Sequence, residues 1–117
     1  MIIKRKNSRD DEGRAMSYGL ELGVVDGGSL QLYEYYAGKY LVDMYGDSDL
    51  EFYYTVNKKD IPKLLKALLP NEDYNALKQR ERTAKKALSI IKKKFHDKDQ
   101  IVGFFDDNNI TYDSYSH

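Results

Sequence analysis

The hydrophobic pattern of this chain changes period once, near residue 58, and that change restricts the fold more than any other feature. Upstream, Tyr18, Leu20, Leu22 and Val24 alternate with Gly19, Glu21 and Gly23, the period of two that leaves a strand with one buried face. Asp26-Gly27-Gly28 supplies the residues a tight reversal needs. Leu30 and Leu32 then alternate with Gln31, Tyr33 and Tyr35. Gly38 leads into a third expected strand, Tyr40 to Tyr45. Gly46-Asp47-Ser48 turns the chain into a fourth, where Leu50, Phe52, Tyr54 and Val56 face inward and Glu51, Tyr53 and Thr55 outward. Downstream the period is 3.6. Ile61, Leu64, Leu65, Leu68 and Leu69 form one stripe, with Asp60 placed as N-cap, Pro62 in the first turn and Pro70 as the stop. Asn71 is placed to cap a second helix running to the lysines at 92–94, with Tyr74, Leu77, Ala84, Leu88, Ile91 and Phe95 on its buried side. A short helix near Asp99–Phe105 and a last strand, Ile110–Tyr115, complete the order.

Strands first, helices next and one strand last predict an α+β fold. The expectation is an antiparallel meander of four to five strands with two to three helices packed on one face. Within it Leu32, Phe52, Leu65, Leu88 and Phe95 are the expected core. Residues 4–14 are polar without periodicity, so residues 1–14 are expected as a flexible arm and 15–117 as a single α+β domain. With no cysteine there is no thiolate chemistry, no disulfide frame and an expected cytoplasmic location. No apolar run approaches the roughly 20 residues that cross a bilayer, so no membrane partner is expected.

Charge is balanced over the chain, 19 acids against 19 Lys/Arg, but is segregated along it. Residues 15–57 carry seven acids and one lysine, a net of −6; residues 58–98 carry thirteen Lys/Arg and five acids, a net of +8. On the expected outward sheet face Tyr33, Tyr35, Tyr45 and Tyr53 stand among Glu21, Gln31, Asp43 and Glu51. Tyrosine offers a large contact area at low entropic cost, and carboxylates beside it favour a cationic protein partner. The plainer reading is that tyrosine simply has high strand propensity and pairs across strands. Lys78, Lys85 and Lys92 recur at heptad spacing with Arg82, Lys86 and Lys93 beside them, a basic ridge able to meet phosphates but without aromatic interleaving or a recognition-helix pattern.

Catalytic and metal signals fail on their own terms. Asp47, Asp49 and Glu51 have calcium-loop spacing, yet Phe52 stands at the glycine position and Lys58 at the bidentate glutamate position. His96 and His117 have no companion residues, and no phosphate-binding glycine loop occurs. Neither an enzyme nor a cofactor is expected.

The close Phe104-Phe105-Asp106-Asp107-Asn108-Asn109-Ile110-Thr111-Tyr112, with the size, the missing cysteine and the acidic aromatic sheet, resembles the immunity proteins that neutralise polymorphic or contact-dependent growth-inhibition toxins of bacteria. The resemblance implies a non-enzymatic protein that binds a cognate toxin domain and blocks it, here through Tyr33, Tyr35, Asp43, Tyr45, Glu51 and Tyr53. The alternative is a nucleic-acid-associated regulator using the basic ridge.

Overall fold

The computed structural model describes residues 1–9, 12–38, 41–42, 46, 49–69 and 71–117. Five strands form one antiparallel sheet in sequential order: β1 (Ile2–Arg9), β2 (Ala15–Val25), β3 (Ser29–Gly38), β4 (Asp49–Val56) and β5 (Asp113–Ser116). Among the described residues four α-helices fall between β4 and β5: α1 (Ile61–Leu68), α2 (Asn71–Ala76), α3 (Ala84–Lys94) and α4 (Lys98–Asp107). The fold is the expected α+β meander.

Alternation sets the two sheet faces. Leu20, Leu22, Leu30, Leu32 and Val56 point to one side and pack with Ile61, Leu64, Leu65 and Leu68 of α1, Ala84, Ala87, Leu88 and Ile91 of α3, and Ile101 and Phe105 of α4. Burying each of these large aliphatic side chains is worth roughly 1.5–3 kcal/mol, so this seam between sheet and helices holds the fold. The β2–β3 reversal runs through Asp26, Gly27 and Gly28, all at positive φ, and Gly28 N–H closes it on the Val25 carbonyl at 3.0 Å.

The structure corrects several expectations. The segment expected as an arm is strand β1, paired one-to-one with β2 from Lys4↔Leu20 to Arg9↔Ala15. Its alternation is invisible because it is an edge: within β1 only Ile3 packs against the core, and the cations on either side of it lie on the surface. β3 pairs directly with β4, and of the strand expected at Tyr40–Tyr45 the described residues are Leu41 and Val42. These two lie instead in a helical turn, with Leu41 buried and Gly46 N–H bonded to the Val42 carbonyl. Tyr40, Asp43, Tyr45, the Asp47-Ser48 part of the expected turn and the stop at Pro70 lie outside the described residues.

The long second helix is broken into α2 and α3. Between Leu77 and Ala84 the sequence Lys78-Gln79-Arg80-Glu81-Arg82-Thr83 has no apolar residue, so no burial holds a helix through that stretch. The chain makes a 3-10 turn at Gln79–Glu81 and Thr83 goes extended (φ −121°, ψ 165°) to open α3. Asp60 makes no capping hydrogen bond; Asn57 does, accepting from Lys59 N–H at 3.0 Å to start a 3-10 turn ahead of α1. Phe52 and Phe95 are half-buried rather than core residues, whereas Leu32, Leu65 and Leu88 are buried.

Candidate functional site

On the sheet face opposite the helices, the strand register brings together residues that are far apart in sequence. Glu21 pairs with Tyr33, Tyr33 with Tyr53, and Tyr53 with Tyr115, a row that crosses β2 to β5. Tyr35 pairs with Gly19 on one side and Glu51 on the other. The rings form a continuous ladder: Tyr35 to Tyr33 at 5.5 Å between centroids, Tyr33 to Tyr53 at 4.9 Å and Tyr53 to Tyr115 at 4.6 Å, the last pair only 8° from parallel. Stacking of this kind contributes about 0.5–1.5 kcal/mol per pair beyond area burial. At the other end Tyr35 lies over Gly19, where a Cβ would fall inside its ring, so only glycine permits that placement.

Glu51 organises the ladder. Tyr33 donates its hydroxyl to Oε1 at 2.8 Å and Tyr53 to Oε2 at 3.1 Å, so one carboxylate fixes two rings. Burial, and then the bond to Glu51, push both phenols above their ordinary range, which keeps them neutral donors. Gln31 bonds Thr55 at 3.2 Å, and Glu21 faces Arg5 of β1 at 3.6 Å. A depression of about 320 Å³ beside the ladder is lined by Glu21, Gly23, Gln31, Tyr33 and Tyr53. Glu21 and Glu51 therefore already have partners, and the face is a rigid aromatic platform more than a free acidic one.

Of the six residues expected at this face, Tyr33, Tyr35, Glu51 and Tyr53 converge, while Asp43 and Tyr45 lie outside the described residues. Tyr115, 62% exposed, is an addition that sequence reading did not single out. The expected basic ridge does not form as drawn. Lys85, Lys86, Lys92 and Lys93 are exposed on α3, but Lys78 precedes the 3-10 turn. Arg82 turns inward: its guanidinium lies 4.6 Å from the Tyr74 ring centroid and reaches the Tyr74 carbonyl at 3.5 Å.

The helix side of the sheet holds one acid that the sequence reading passed over. Glu34 is only 3% exposed and accepts the Tyr18 hydroxyl at 2.6 Å. Burial, and then this bond, raise the Tyr18 phenol well above its ordinary range. Lys98, at the start of α4, is held by Asp99 at 2.9 Å and lies within electrostatic reach of Glu34 and Tyr54.

No protein-family model matches the chain, and neither does any curated protein or solved structure.

Proposed function

We propose that this chain is a non-catalytic protein-binding module of the immunity type, which binds a cognate bacterial toxin domain in the cytoplasm and occludes it through the tyrosine face. The observation that carries this reading is the four-ring ladder pinned by Glu51. Interface anchors are aromatic and work best when their conformation is fixed before binding, because less side-chain entropy is then lost on association. Tyr33 and Tyr53 are the anchors; Glu51 sets their hydroxyls, and Tyr35 extends the platform toward β2. Glu21, loosely paired with Arg5 at 3.6 Å, contributes steering toward a cationic partner.

The test is a Tyr33→Ala/Tyr53→Ala double variant, checked for folding by circular dichroism. Protection against a candidate toxin, sought among the products of neighbouring genes, and calorimetric affinity for it are then compared with wild type. Losing central aromatic anchors costs at least about 2 kcal/mol of binding, roughly thirtyfold in affinity. A folded double variant with full protection and full affinity removes this face as the interface.

A further inference from the structure

The two edges of the sheet are treated in opposite ways. The outer strand β1 carries exposed Lys4, Arg5, Lys6 and Arg9, the charged residues that keep an open edge from pairing with another chain. The outer strand β5, Asp113-Ser114-Tyr115-Ser116, has neither lysine nor proline, and all four residues are exposed. Its hydrogen bonding can be read from one pair. His117 N–H bonds the Glu51 carbonyl at 2.8 Å and Glu51 N–H bonds the His117 carbonyl at 3.2 Å. In an antiparallel ladder such pairs alternate, so Tyr115 and Asp113 likewise turn their backbone groups toward β4. Ser114 and Ser116 therefore direct their N–H and C=O groups outward, along an edge that pairs with nothing among the described residues.

The side chains continue this edge onto the tyrosine face. Tyr115 is the last ring of the ladder, stacked on Tyr53 by one face, and is 62% exposed. Asp113 is two residues away and so projects to the same side. We propose that β5 is a docking edge for an extended segment of the partner protein, which adds antiparallel as a sixth strand. Its chemistry follows from the edge: an aromatic residue opposite Tyr115 and a cationic residue opposite Asp113, two positions further along. The backbone bonds go to Ser114 and Ser116, and Tyr115 then meets its counterpart across a pair without backbone hydrogen bonds, where side chains come closest. This rests on the protein-binding reading above and specifies how the partner engages. A second copy of the chain is the weaker occupant, because a four-residue β5 edge paired with itself buries far less than the roughly 1,200 Å² of a stable interface and offers no cation to Asp113.

The probe is the peptide acetyl-Thr-Tyr-Thr-Lys-Thr-amide, titrated into the ¹⁵N-labelled full chain. Saturable shifts at Ser114–Ser116 and slowed exchange of the Ser114 and Ser116 amides are expected. Ser116→Pro removes one outward N–H while sparing the bonds to β4, and is expected to weaken the peptide about tenfold. Asp113→Lys is expected to exchange preference toward the peptide with Glu in place of Lys, an outcome that loss of folding cannot produce. Shifts confined to β1, unchanged binding by Ser116→Pro, or β5 resonances that move on dilution without peptide would each overturn the proposal, the last in favour of a second copy. Tyr33→Ala separates this from the face reading: it leaves β5 and the Tyr53–Tyr115 stack in place, so peptide binding persists in it whether or not toxin protection does.

Discussion

Removing the Tyr18 hydroxyl is the sharpest test of how the helix side of the sheet is held. Glu34 is almost wholly buried and takes the Tyr18 hydroxyl in a short 2.6 Å bond. A hydrogen bond to a charged group contributes about 1.5–3 kcal/mol, and losing one partner leaves the other to bear its desolvation alone. Tyr18→Phe should therefore cost about 2 kcal/mol. With an unfolding entropy near 2.1 cal/mol/K per residue, a chain of 117 residues loses about 8 °C in Tm for that amount. Replacing both partners by apolar groups is far cheaper than orphaning one. Tyr18→Phe/Glu34→Leu should accordingly recover most of the loss, and urea unfolding of wild type, both single variants and the double variant closes the cycle. A coupling energy below about 0.5 kcal/mol, or a double variant no more stable than Tyr18→Phe alone, would refute the claim that this bond is what makes the buried acid tolerable.

Two further outcomes follow from the same geometry. Tyr18, Tyr33 and Tyr53 have folded-state pKa values above the unfolded 10.0, so the native state holds protons that the unfolded chain releases; the stability they contribute is complete below about pH 10 and is lost as pH rises above it. Tyrosinate absorbance should rise in two stages, the later one coinciding with loss of circular dichroism, and a single non-cooperative stage would contradict the burial described. Lys85→Glu/Lys92→Glu should leave protection intact and cost at most about 1 kcal/mol, mainly through the unfavourable charge at the α3 C-terminus. Loss of protection by the folded variant, together with loss of salt-sensitive DNA or RNA binding by wild type, would instead favour the nucleic-acid reading.

The alternation in β2, β3 and β4 was legible because each has one face against the helices, and a period of two then has a physical cause. Glu34 carried the same signal but was not picked out: it stands in phase with Leu30 and Leu32, and following that phase one step further places an acid in the core, where Tyr18 is the group that makes burial affordable. Phe52 shows the limit of phase. It faces the helix side, but its cross-strand neighbours are Glu34 and Ser116 and its ring meets Tyr36 edge-on at 6.1 Å, so direction alone did not make it core. β1 was illegible because an edge strand with one residue in the core has no pattern to show. The break between α2 and α3 was missed because Tyr74 and Leu77 keep the phase of Ala84 and Leu88 across a stretch that has no apolar side chain to bury.

The tyrosine ladder illustrates a different limit, since its rings come from three strands and Tyr115 joins only because the chain returns to β4 after four helices. Alternation says which side a residue faces; register decides which residues become neighbours, and register is fixed by pairing at long range. The same argument explains the unequal edges. A chain with two bare edges risks association at both, and here four cations close the β1 edge while the β5 edge is left with serine, aspartate and the most exposed tyrosine ring of the ladder. Because Tyr115 stacks on Tyr53 and Tyr53 on Tyr33, a strand added at β5 extends the platform that Glu51 holds, so edge and face offer a partner one continuous surface.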